Sequence, residues 1–196
     1  KAPYAFPPGA EALALLELDG EPEGMEPAIL RCAETCEEKG AVDVIVARDE
    51  ADRRRIWQSR RIVSPSLREA HRYKVAEDIA VPRSRIPEMV ARSREIADRH
   101  GLSVATYGHS GDGNLHVNLL FDREDQRPAV ERAVAEVLRA AVDLGGTITG
   151  EHGVGLAKRD FLEYEQGRDV VAVQRRLKAL FDPLGILNPG QVFPER

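Results

Sequence analysis

The sequence predicts an α+β fold in which helices cover a layer of antiparallel sheet. Strand-like and helix-like segments alternate along the 196 residues, and a chain of this length can bury a sizeable core in one large domain or two small ones. Residues 102–121 carry the pattern of two strands joined by the glycine turn GHSGDGN. So tight a connection requires antiparallel pairing, which favours a sheet packed under helices.

The predicted strands are the segments in which apolar residues alternate with polar ones or run continuously between turn signals. They lie at residues 11–20, 41–49 and 73–82 and in the hairpin at 102–121. The predicted helices have apolar residues at helical spacing and capping or stop residues at their ends. They lie at residues 25–40, 49–70 with a break near Pro65, 84–101, 125–146 and 170–185. A glycine-rich loop at 147–162 leads into a helix start, and a turn-rich tail follows at 186–196.

The composition is that of an ordinary soluble globular protein, with 42% apolar and 31% charged residues. The formal net charge of −5 argues against a nucleic-acid partner, because phosphate contacts need a basic surface. Cys32 and Cys36 are four residues apart on one helix face, where a disulfide does not form easily. We therefore expect free thiols and a reducing, cytoplasmic location. Because the chain begins with Lys1 rather than Met, we expect it to be part of a longer gene product.

The hairpin at 102–121 gathers polar side chains around its turn. His109 is expected to end one strand and His116 to open the next, so that they are cross-strand neighbours with Cβ atoms about 5 Å apart. At that separation two imidazoles can bind one metal ion. Asn118 lies two residues after His116 and therefore points to the same face of the sheet. Asp112, between two glycines, either caps the turn or orients one of the imidazoles.

A second polar cluster lies in the glycine-rich loop, where Glu151 and His152 stand side by side between Gly150 and Gly153. A carboxylate is a suitable third ligand for a metal held by two histidines, and this set leaves coordination positions open for a substrate. His152 is then available as a general base near neutral pH. The alternative interpretation is a surface loop in which the two residues are neighbours by chance.

Basic residues provide candidates for holding an anionic substrate. Five arginines cluster in RRRIWQSRR, and most of them are expected on a solvent-facing helix surface. One arginine, such as Arg60, together with Lys74 of the third predicted strand suits a carboxylate group. Spacing alone does not select these two residues. His71 and His100 lie outside both polar clusters and are expected to be structural or surface residues.

Three segments of the sequence, YGHSGDGNLHVNLL, GGTITGEHGVGLAKRDFL and LFDPLGILNPGQVF, resemble the C-terminal domain of FAD-linked oxidases. This family includes the glycolate oxidase D subunit, D-lactate dehydrogenases and D-2-hydroxyglutarate dehydrogenases. A fourth segment, YKVAEDIAVPRSRIPEMV, is similar to the glycolate oxidase D subunit and its bacterial relatives. The resemblance covers nearly the whole chain. It implies a ferredoxin-like α+β cap domain over residues 1–196, placed above the flavin ring.

The resemblance also assigns roles to the polar clusters. His109 and His116 match the metal-binding histidines of the metal-dependent members, and Glu151 matches their carboxylate ligand. His152 matches the proposed catalytic base. The metal implied is a divalent ion, zinc first, with manganese or iron as the alternatives.

Other matching positions are implied to contact the substrate or the cofactor. Asn118, Arg60 and Lys74 match residues that hold the substrate carboxylate or hydroxyl group. Asn188, in the NPG motif of the tail, is implied to bind the cofactor. Gln191 departs from the family pattern, because related chains often have lysine there, and this leaves the role of that position toward the flavin open.

The function implied is that of the substrate-binding domain of a flavin-dependent enzyme that oxidises a small D-2-hydroxy acid, such as glycolate or lactate, to the 2-oxo acid. The FAD-binding domain is expected elsewhere in the same gene product, because no segment of residues 1–196 resembles its phosphate-binding loop. This domain alone is therefore expected to be inactive. The expected partners are the hydroxy acid, the FAD-binding domain and other subunits of an oxidase complex, which would also provide any attachment to a membrane.

Two other functions remain open at this point. A hydrolase could use the same metal to activate water, in which case catalysis needs no flavin. A non-catalytic module that binds carboxylate metabolites would carry the same basic and polar residues without turning the ligand over.

Overall fold

The structure is a computed structural model that describes residues 7–193. The chain divides into two compact units, with the boundary after Glu69. The described part of the first unit contains helices, and the second unit combines helices with a three-stranded antiparallel sheet. The predicted α+β fold is therefore confirmed. No helix among the described residues has both the length and the apolar composition needed to span a bilayer.

The N-terminal unit, within the described residues, has three helices: α1 (Pro22–Glu38), α2 (Glu50–Arg61) and α3 (Val63–Ala70). The first of them begins with a proline, whose fixed φ and missing N–H suit the first helical turn. Asp49 caps α2, because its carboxylate accepts the N–H of Asp52 at 2.8 Å. The break between α2 and α3 falls at Ile62. Pro65 therefore lies in the first turn of α3, where its missing N–H costs no hydrogen bond.

The strands predicted at residues 11–20 and 41–49 do not form in the described part of the chain. Both segments run as irregular backbone without strand pairing, and most of their large apolar side chains stay exposed. The exposed ones are Leu13, Leu16, Leu18, Val42, Ile45 and Val46. Apolar alternation indicates that a segment fits a half-buried strand, but a strand also needs a neighbour that supplies backbone hydrogen bonds. No strand in the described N-terminal unit provides one.

The C-terminal unit, as far as it is described, contains in order β1 (Tyr73–Ala80), α4 (Ile86–Arg99), β2 (Ser103–His109), β3 (Asn114–Phe121), α5 (Arg127–Asp143), α6 (Leu162–Gln166) and α7 (Arg168–Phe181). The central strand of the sheet is β3, which pairs antiparallel with both β1 and β2. Short 3₁₀ turns precede α4, α5 and α6. The predicted third strand, the hairpin and the helices that follow are confirmed, with shifts of a few residues at their ends.

One face of the sheet carries the hydrophobic core. Because successive strand residues point to opposite faces, Ile79 of β1 and Val117 and Leu119 of β3 share this face. All three are fully buried, in the same core as residues of α4 and α5. Burying each such side chain stabilises the fold by about 1.5–3 kcal/mol. The core therefore determines which strand residues point to the opposite, polar face.

Candidate active site

The hairpin turn places the two histidines differently from the expectation. Gly113 has φ +82°, and the Asp112 carboxylate accepts the N–H of Asn114 at 3.0 Å, so β3 already begins at Asn114. Asn114 therefore lies opposite His109, and His116 lies two residues further along β3. The two imidazoles are diagonal neighbours on one sheet face, with ring centroids 6.4 Å apart, rather than directly opposed. Asp112 therefore caps the turn, which is one of the two roles predicted for it.

The polar face of the sheet brings residues of β1 and β3 side by side. Asn114, His116 and Asn118 alternate along β3 and share this face, which confirms the orientation predicted for the last two. Asp78 of β1 lies directly opposite His116 in the antiparallel register. Asp78 is only 1% exposed, so neighbouring donors rather than water must satisfy its carboxylate.

The donors come from the glycine-rich loop that follows α5. One oxygen of Asp78, Oδ2, accepts hydrogen bonds from the backbone N–H groups of residues 150–152 at 2.8–2.9 Å. The Thr149 hydroxyl donates to the same oxygen at 3.2 Å. This carboxylate thus holds the backbone that carries Glu151 and His152, and it does so from a strand more than 70 residues earlier in the chain.

The loop approaches the sheet so closely that position 150 has no room for a side chain. A Cβ atom on Gly150 would lie 2.7 Å from Asp78 Oδ1 and 2.7 Å from Asn114 Oδ1. Both oxygens are buried and have no hydrogen-bond partner among the described residues. Glycine therefore allows the backbone to reach two buried acceptor oxygens, and a larger residue would push the loop away.

Glu151 and His152 converge with His116 beside this carboxylate. Glu151 Oε1 lies 3.5 Å from His116 Nε2 and 3.6 Å from His152 Nε2. The two imidazole rings stack, with centroids 5.6 Å apart and 22° between their planes. Together with Asp78, these residues each offer one ligand atom, and the four atoms lie within 4.8 Å of one another. Imidazole nitrogens and carboxylate oxygens at this spacing fit a divalent ion such as zinc, manganese or iron.

His109 is not one of these four residues, although it lies beside them. Its ring centroid is 6.4 Å from that of His116, and its side chain is exposed at the end of β2. Two imidazoles that bind one zinc ion through nitrogens at about 2.0–2.1 Å have ring centroids roughly 5–6 Å apart. The His109 ring must therefore move closer to His116 before the two can share one ion. Its role as a ligand stays a prediction, as do the roles of His116, Glu151 and His152.

A buried ion pair anchors the end of the same loop. Lys158 and Glu77 are 6% and 8% exposed, and their Nζ and Oε2 atoms are 3.6 Å apart. The Lys158 ammonium also donates a hydrogen bond to the backbone carbonyl of Asp78. The loop is therefore attached to β1 at both ends, through the Asp78 carboxylate near its start and through Lys158 at its finish.

Burial and charge act in opposite directions on the two neighbouring acids of β1. Burial raises the pKa of Glu77, and the charge and hydrogen bond of Lys158 lower it by less, so that this pKa lies above its ordinary value. Burial also raises the pKa of Asp78, but the backbone hydrogen bonds from the loop, followed by the positive charge of Lys158, lower it by more. The pKa of Asp78 therefore lies below its ordinary value, and its carboxylate stays ionised at neutral pH.

Two of the predicted substrate-binding residues lie on the polar sheet face. Lys74 of β1 places Nζ 3.5 Å from the hydroxyl of Tyr107, whose ring centroid is 5.5 Å from that of His116. A positive charge and a hydroxyl group thus lie beside the candidate metal ligands. Asn118 is fully buried, and its Nδ2 donates to the backbone carbonyls of His116 and Ala105 at 2.9 Å. Its Oδ1 has no hydrogen-bond partner among the described residues.

The remaining predicted residues belong to other parts of the chain. Arg60 lies in the last turn of α2, in the N-terminal unit, with its side chain half-buried. Asn188 lies in an exposed turn, where its φ is +47° and its carbonyl accepts the N–H of Gln191 at 3.2 Å. Their roles in binding remain predictions. Cys32 and Cys36 are free thiols on α1, as predicted.

Asp78 and Tyr107 were not singled out from the sequence, although both belong to this arrangement. A usable signal existed for Asp78, because its spacing of four residues from Lys74 places both on one face of a strand. Tyr107 lies two residues before His109 and shares its face for the same reason. No local signal exists for the hydrogen bonds of Asp78, since their donors lie more than 70 residues away.

The chain belongs to the FAD linked oxidases, because the C-terminal domain of that family matches residues 1–192. The match includes the hairpin and the glycine-rich loop, which carry the two polar clusters. The resemblance inferred from the sequence motifs is therefore confirmed.

Curated relatives place the chain in the same family. It is 39% identical over 194 residues to the glycolate oxidase subunit GlcD of Bacillus subtilis (strain 168), an alignment that covers 98% of the chain and 41% of that protein. It is 38% identical over 162 residues to a D-lactate dehydrogenase of Archaeoglobus fulgidus, covering 82% of the chain and 35% of that protein. It is 31% identical over 198 residues to a D-2-hydroxyglutarate dehydrogenase of Stutzerimonas stutzeri, covering 97% and 42%. The chain thus spans about two fifths of the length of these relatives.

Proposed function

We propose that this chain is the substrate-binding part of a flavin-dependent enzyme that oxidises a small 2-hydroxy acid, such as glycolate or D-lactate, to the corresponding 2-oxo acid. Membership of the FAD linked oxidases supports this class of reaction. The observation that carries the proposal is the approach of Glu151 Oε1 to the Nε2 atoms of His116 and His152, at 3.5 and 3.6 Å. This arrangement offers metal ligands and a base at one place on the sheet.

Two bound groups would supply chemistry that side chains lack. FAD, when bound, accepts the hydrogen of the substrate carbon together with its electron pair. We expect residues outside this chain to hold most of the FAD. The described residues carry no glycine-rich turn between a strand and a helix of the kind that binds a pyrophosphate. A divalent metal held by His116, Glu151 and His109 would act as a Lewis acid toward the substrate hydroxyl.

His152 is the residue that would take the proton of the substrate hydroxyl. Its Nε2 lies 3.6 Å from Glu151 Oε1, so the imidazole borders the ligand group, and its side chain is 63% exposed and accessible to a substrate. Transfer of this proton to His152, as the carbon–hydrogen bond breaks, avoids a positively charged product and completes the two-electron oxidation.

Lys74 and Tyr107 would hold the substrate carboxylate. Nζ of Lys74 and the hydroxyl of Tyr107 are 3.5 Å apart, so one carboxylate can accept a charge-assisted hydrogen bond from the lysine and a second bond from the tyrosine. Both residues share a sheet face with His116. A substrate carboxylate bound there would direct the neighbouring 2-hydroxyl group of the substrate toward His116, Glu151 and His152. Arg60 and Asn118 are further candidates on the strength of the family pattern.

Oxidation of glycolate and D-lactate by the full-length protein loaded with FAD, with a dye as electron acceptor, tests this function. We expect His152→Gln to lower kcat by about 10²–10⁴-fold, the usual contribution of a general base. His71→Gln is the matched control, because His71 contacts Asp122 outside the site and its loss should leave turnover unchanged. Turnover that persists without FAD, or a His152→Gln variant with unchanged kcat, would overturn the proposal.

A further inference from the structure

The carboxylate of Asp78 faces both halves of the candidate site. Its Oδ2 accepts four hydrogen bonds, from the Thr149 hydroxyl and from the backbone N–H groups of residues 150–152. Its Oδ1 is buried and has no hydrogen-bond partner among the described residues. On the strand side, Nδ1 of His116 lies 3.9 Å from this second oxygen. One residue therefore binds the loop with one oxygen and faces the hairpin with the other.

We propose that Asp78 is a positioning residue that selects the tautomer of His116. It holds the proton of the neutral imidazole on Nδ1, so that Nε2 keeps its lone pair and faces Glu151. The inference rests on the proposed function in one respect, which is that Nε2 of His116 would bind the metal.

Burial decides between the two carboxylates that flank the His116 ring. Asp78 is 1% exposed, so its oxygen needs a protein donor, whereas the Glu151 side chain is 52% exposed and water can satisfy its oxygens. An Nδ1–H group would satisfy the buried Oδ1 of Asp78 once the 3.9 Å gap closes by about 1 Å. On the other side, Nε2 lies 3.5 Å from Glu151 Oε1. Two ligand atoms at about 2.0–2.1 Å from one tetrahedral zinc ion are roughly 3.4 Å apart. Histidines that bind a metal through one nitrogen usually donate the N–H of the other to a carboxylate or carbonyl.

The orientation of Asp78 is fixed by its other contacts. Oδ2 is held by the loop backbone, and the backbone carbonyl of the same residue accepts a hydrogen bond from buried Lys158. Gly150 packs so closely that a Cβ there would lie 2.7 Å from Oδ1. Oδ1 is therefore kept on the side of His116 and cannot exchange places with Oδ2 without breaking the loop hydrogen bonds.

Asn114 is the competing donor for the same oxygen, because its side-chain amide also borders Gly150. If Asn114 alone supplied the donor to Oδ1, the tautomer of His116 would not depend on Asp78. The experiment must therefore read the tautomer of His116 itself rather than the stability of the loop.

Long-range ¹H–¹⁵N spectra of the full-length, metal-free protein labelled with ¹⁵N-histidine report which nitrogen of each imidazole carries the proton. We expect the Nδ1-protonated form at His116. In Asp78→Asn the amide oxygen can still accept the loop hydrogen bonds, but the NH₂ group then faces Nδ1, so the proton should move to Nε2. Zinc affinity, measured by competition with a chelating dye, should fall by about 10–100-fold, the usual loss when such an orienting partner is removed.

Asp122→Asn is the matched control. Asp122 also accepts a backbone N–H, from Arg72 at 2.9 Å, and it also contacts a histidine nitrogen, Nδ1 of His71 at 3.0 Å. It lies outside the group of candidate ligands. This variant should alter the signals of His71 and leave both the tautomer of His116 and the affinity for zinc unchanged.

Three results decide the inference. An Nε2-protonated His116 in the wild-type protein overturns it, even if the Asp78→Asn variant fails to fold. A folded Asp78→Asn variant with an unchanged His116 tautomer also overturns it. The predicted tautomers together with no zinc binding by the wild-type protein would support the positioning role of Asp78 and would overturn the metal site in the proposed function.

Discussion

Replacing Lys158 with methionine tests the buried pair that anchors the glycine-rich loop. Methionine keeps a flexible apolar chain but removes the ammonium that lies 3.6 Å from Glu77 Oε2. Both residues are less than a tenth exposed, so Glu77 would keep a charge without a partner in the interior. Breaking a buried pair in this way costs about 3–5 kcal/mol. The lost hydrogen bond to the Asp78 carbonyl adds about 1 kcal/mol.

Protonation of Glu77 limits this cost. Holding a carboxyl protonated at pH 7 costs about 1.4 kcal/mol for each pH unit above its ordinary pKa of 4.5, or roughly 3 kcal/mol. Burial already raises the pKa of Glu77, and a carboxyl with a raised pKa binds its proton more tightly in the folded state. The unfavourable contribution of Glu77 to the free energy of unfolding is therefore absent below its ordinary pKa and grows as the pH rises toward its folded-state pKa. With the lost hydrogen bond included, we expect a loss of about 4 kcal/mol in unfolding free energy at pH 7 and a smaller loss near pH 4.5.

Urea unfolding followed by far-ultraviolet circular dichroism measures this loss. The double variant Glu77→Leu/Lys158→Met leaves neither charge in the interior, so it should recover most of the stability that Lys158→Met loses. Lys39→Met is the control, because Lys39 is exposed just after α1 and its replacement should cause no measurable change. A wild-type midpoint for Lys158→Met, or a double variant no more stable than the single one, would refute the reasoning.

Three further predictions concern the loop, the base and the C-terminal end of α7. Gly150→Ala should lower the unfolding free energy by about 1–3 kcal/mol, because the new Cβ would lie 2.7 Å from the Asp78 carboxylate. Gly111→Ala is the control, because a Cβ at Gly111 enters open space, and thermal unfolding of this variant should match the wild type. His152→Gln should keep wild-type metal content in elemental analysis, and a loss of metal would make this residue a ligand instead of the base. Asp182→Asn should be less stable than wild type at pH 7. The hydrogen bond from Lys178 lowers the pKa of Asp182 below its ordinary value of 3.8. The difference in urea midpoint between the variant and the wild type should therefore disappear as the pH falls below 3.8 and through the folded-state pKa of Asp182. A difference that persists at low pH would show that the charge is not its cause.

The hairpin shows what local sequence can determine. The turn needs a glycine with positive φ and a short side chain that accepts a backbone N–H, and Gly113 and Asp112 meet these needs at adjacent positions. The strands on either side alternate, so the shared face of His116 and Asn118 followed directly. The register differed from the expectation by two residues, because the cap on Asn114 starts β3 earlier than the apolar pattern indicates.

The two missing strands show what local sequence cannot determine. Residues 11–20 have the apolar pattern of a strand and residues 41–49 also have its β-branched content, yet the backbone of both is unpaired in the described structure. Alternation describes one segment at a time, whereas pairing depends on a second segment that is brought alongside by the rest of the fold. A single sequence contains no direct measure of that partner.

The same limit explains why Asp78 was not recognised. Within AEDIA it is one of two adjacent acids on a strand, and only its spacing from Lys74 distinguishes it from the acid before it. Its function is defined by N–H groups at residues 150–152 and by His116 across the sheet. By contrast, Glu151 and His152 were found because both lie together between glycines in one short motif.

Metal content of the purified full-length protein tests most directly the claim that the hairpin and the glycine-rich loop form one metal site. Elemental analysis should find about one equivalent of zinc, manganese or iron in the wild-type protein and in the His71→Ala control. His116→Ala and Glu151→Gln, one from each segment, should each lose most of this metal while circular dichroism shows an intact fold. Wild-type metal content in both variants would contradict the account.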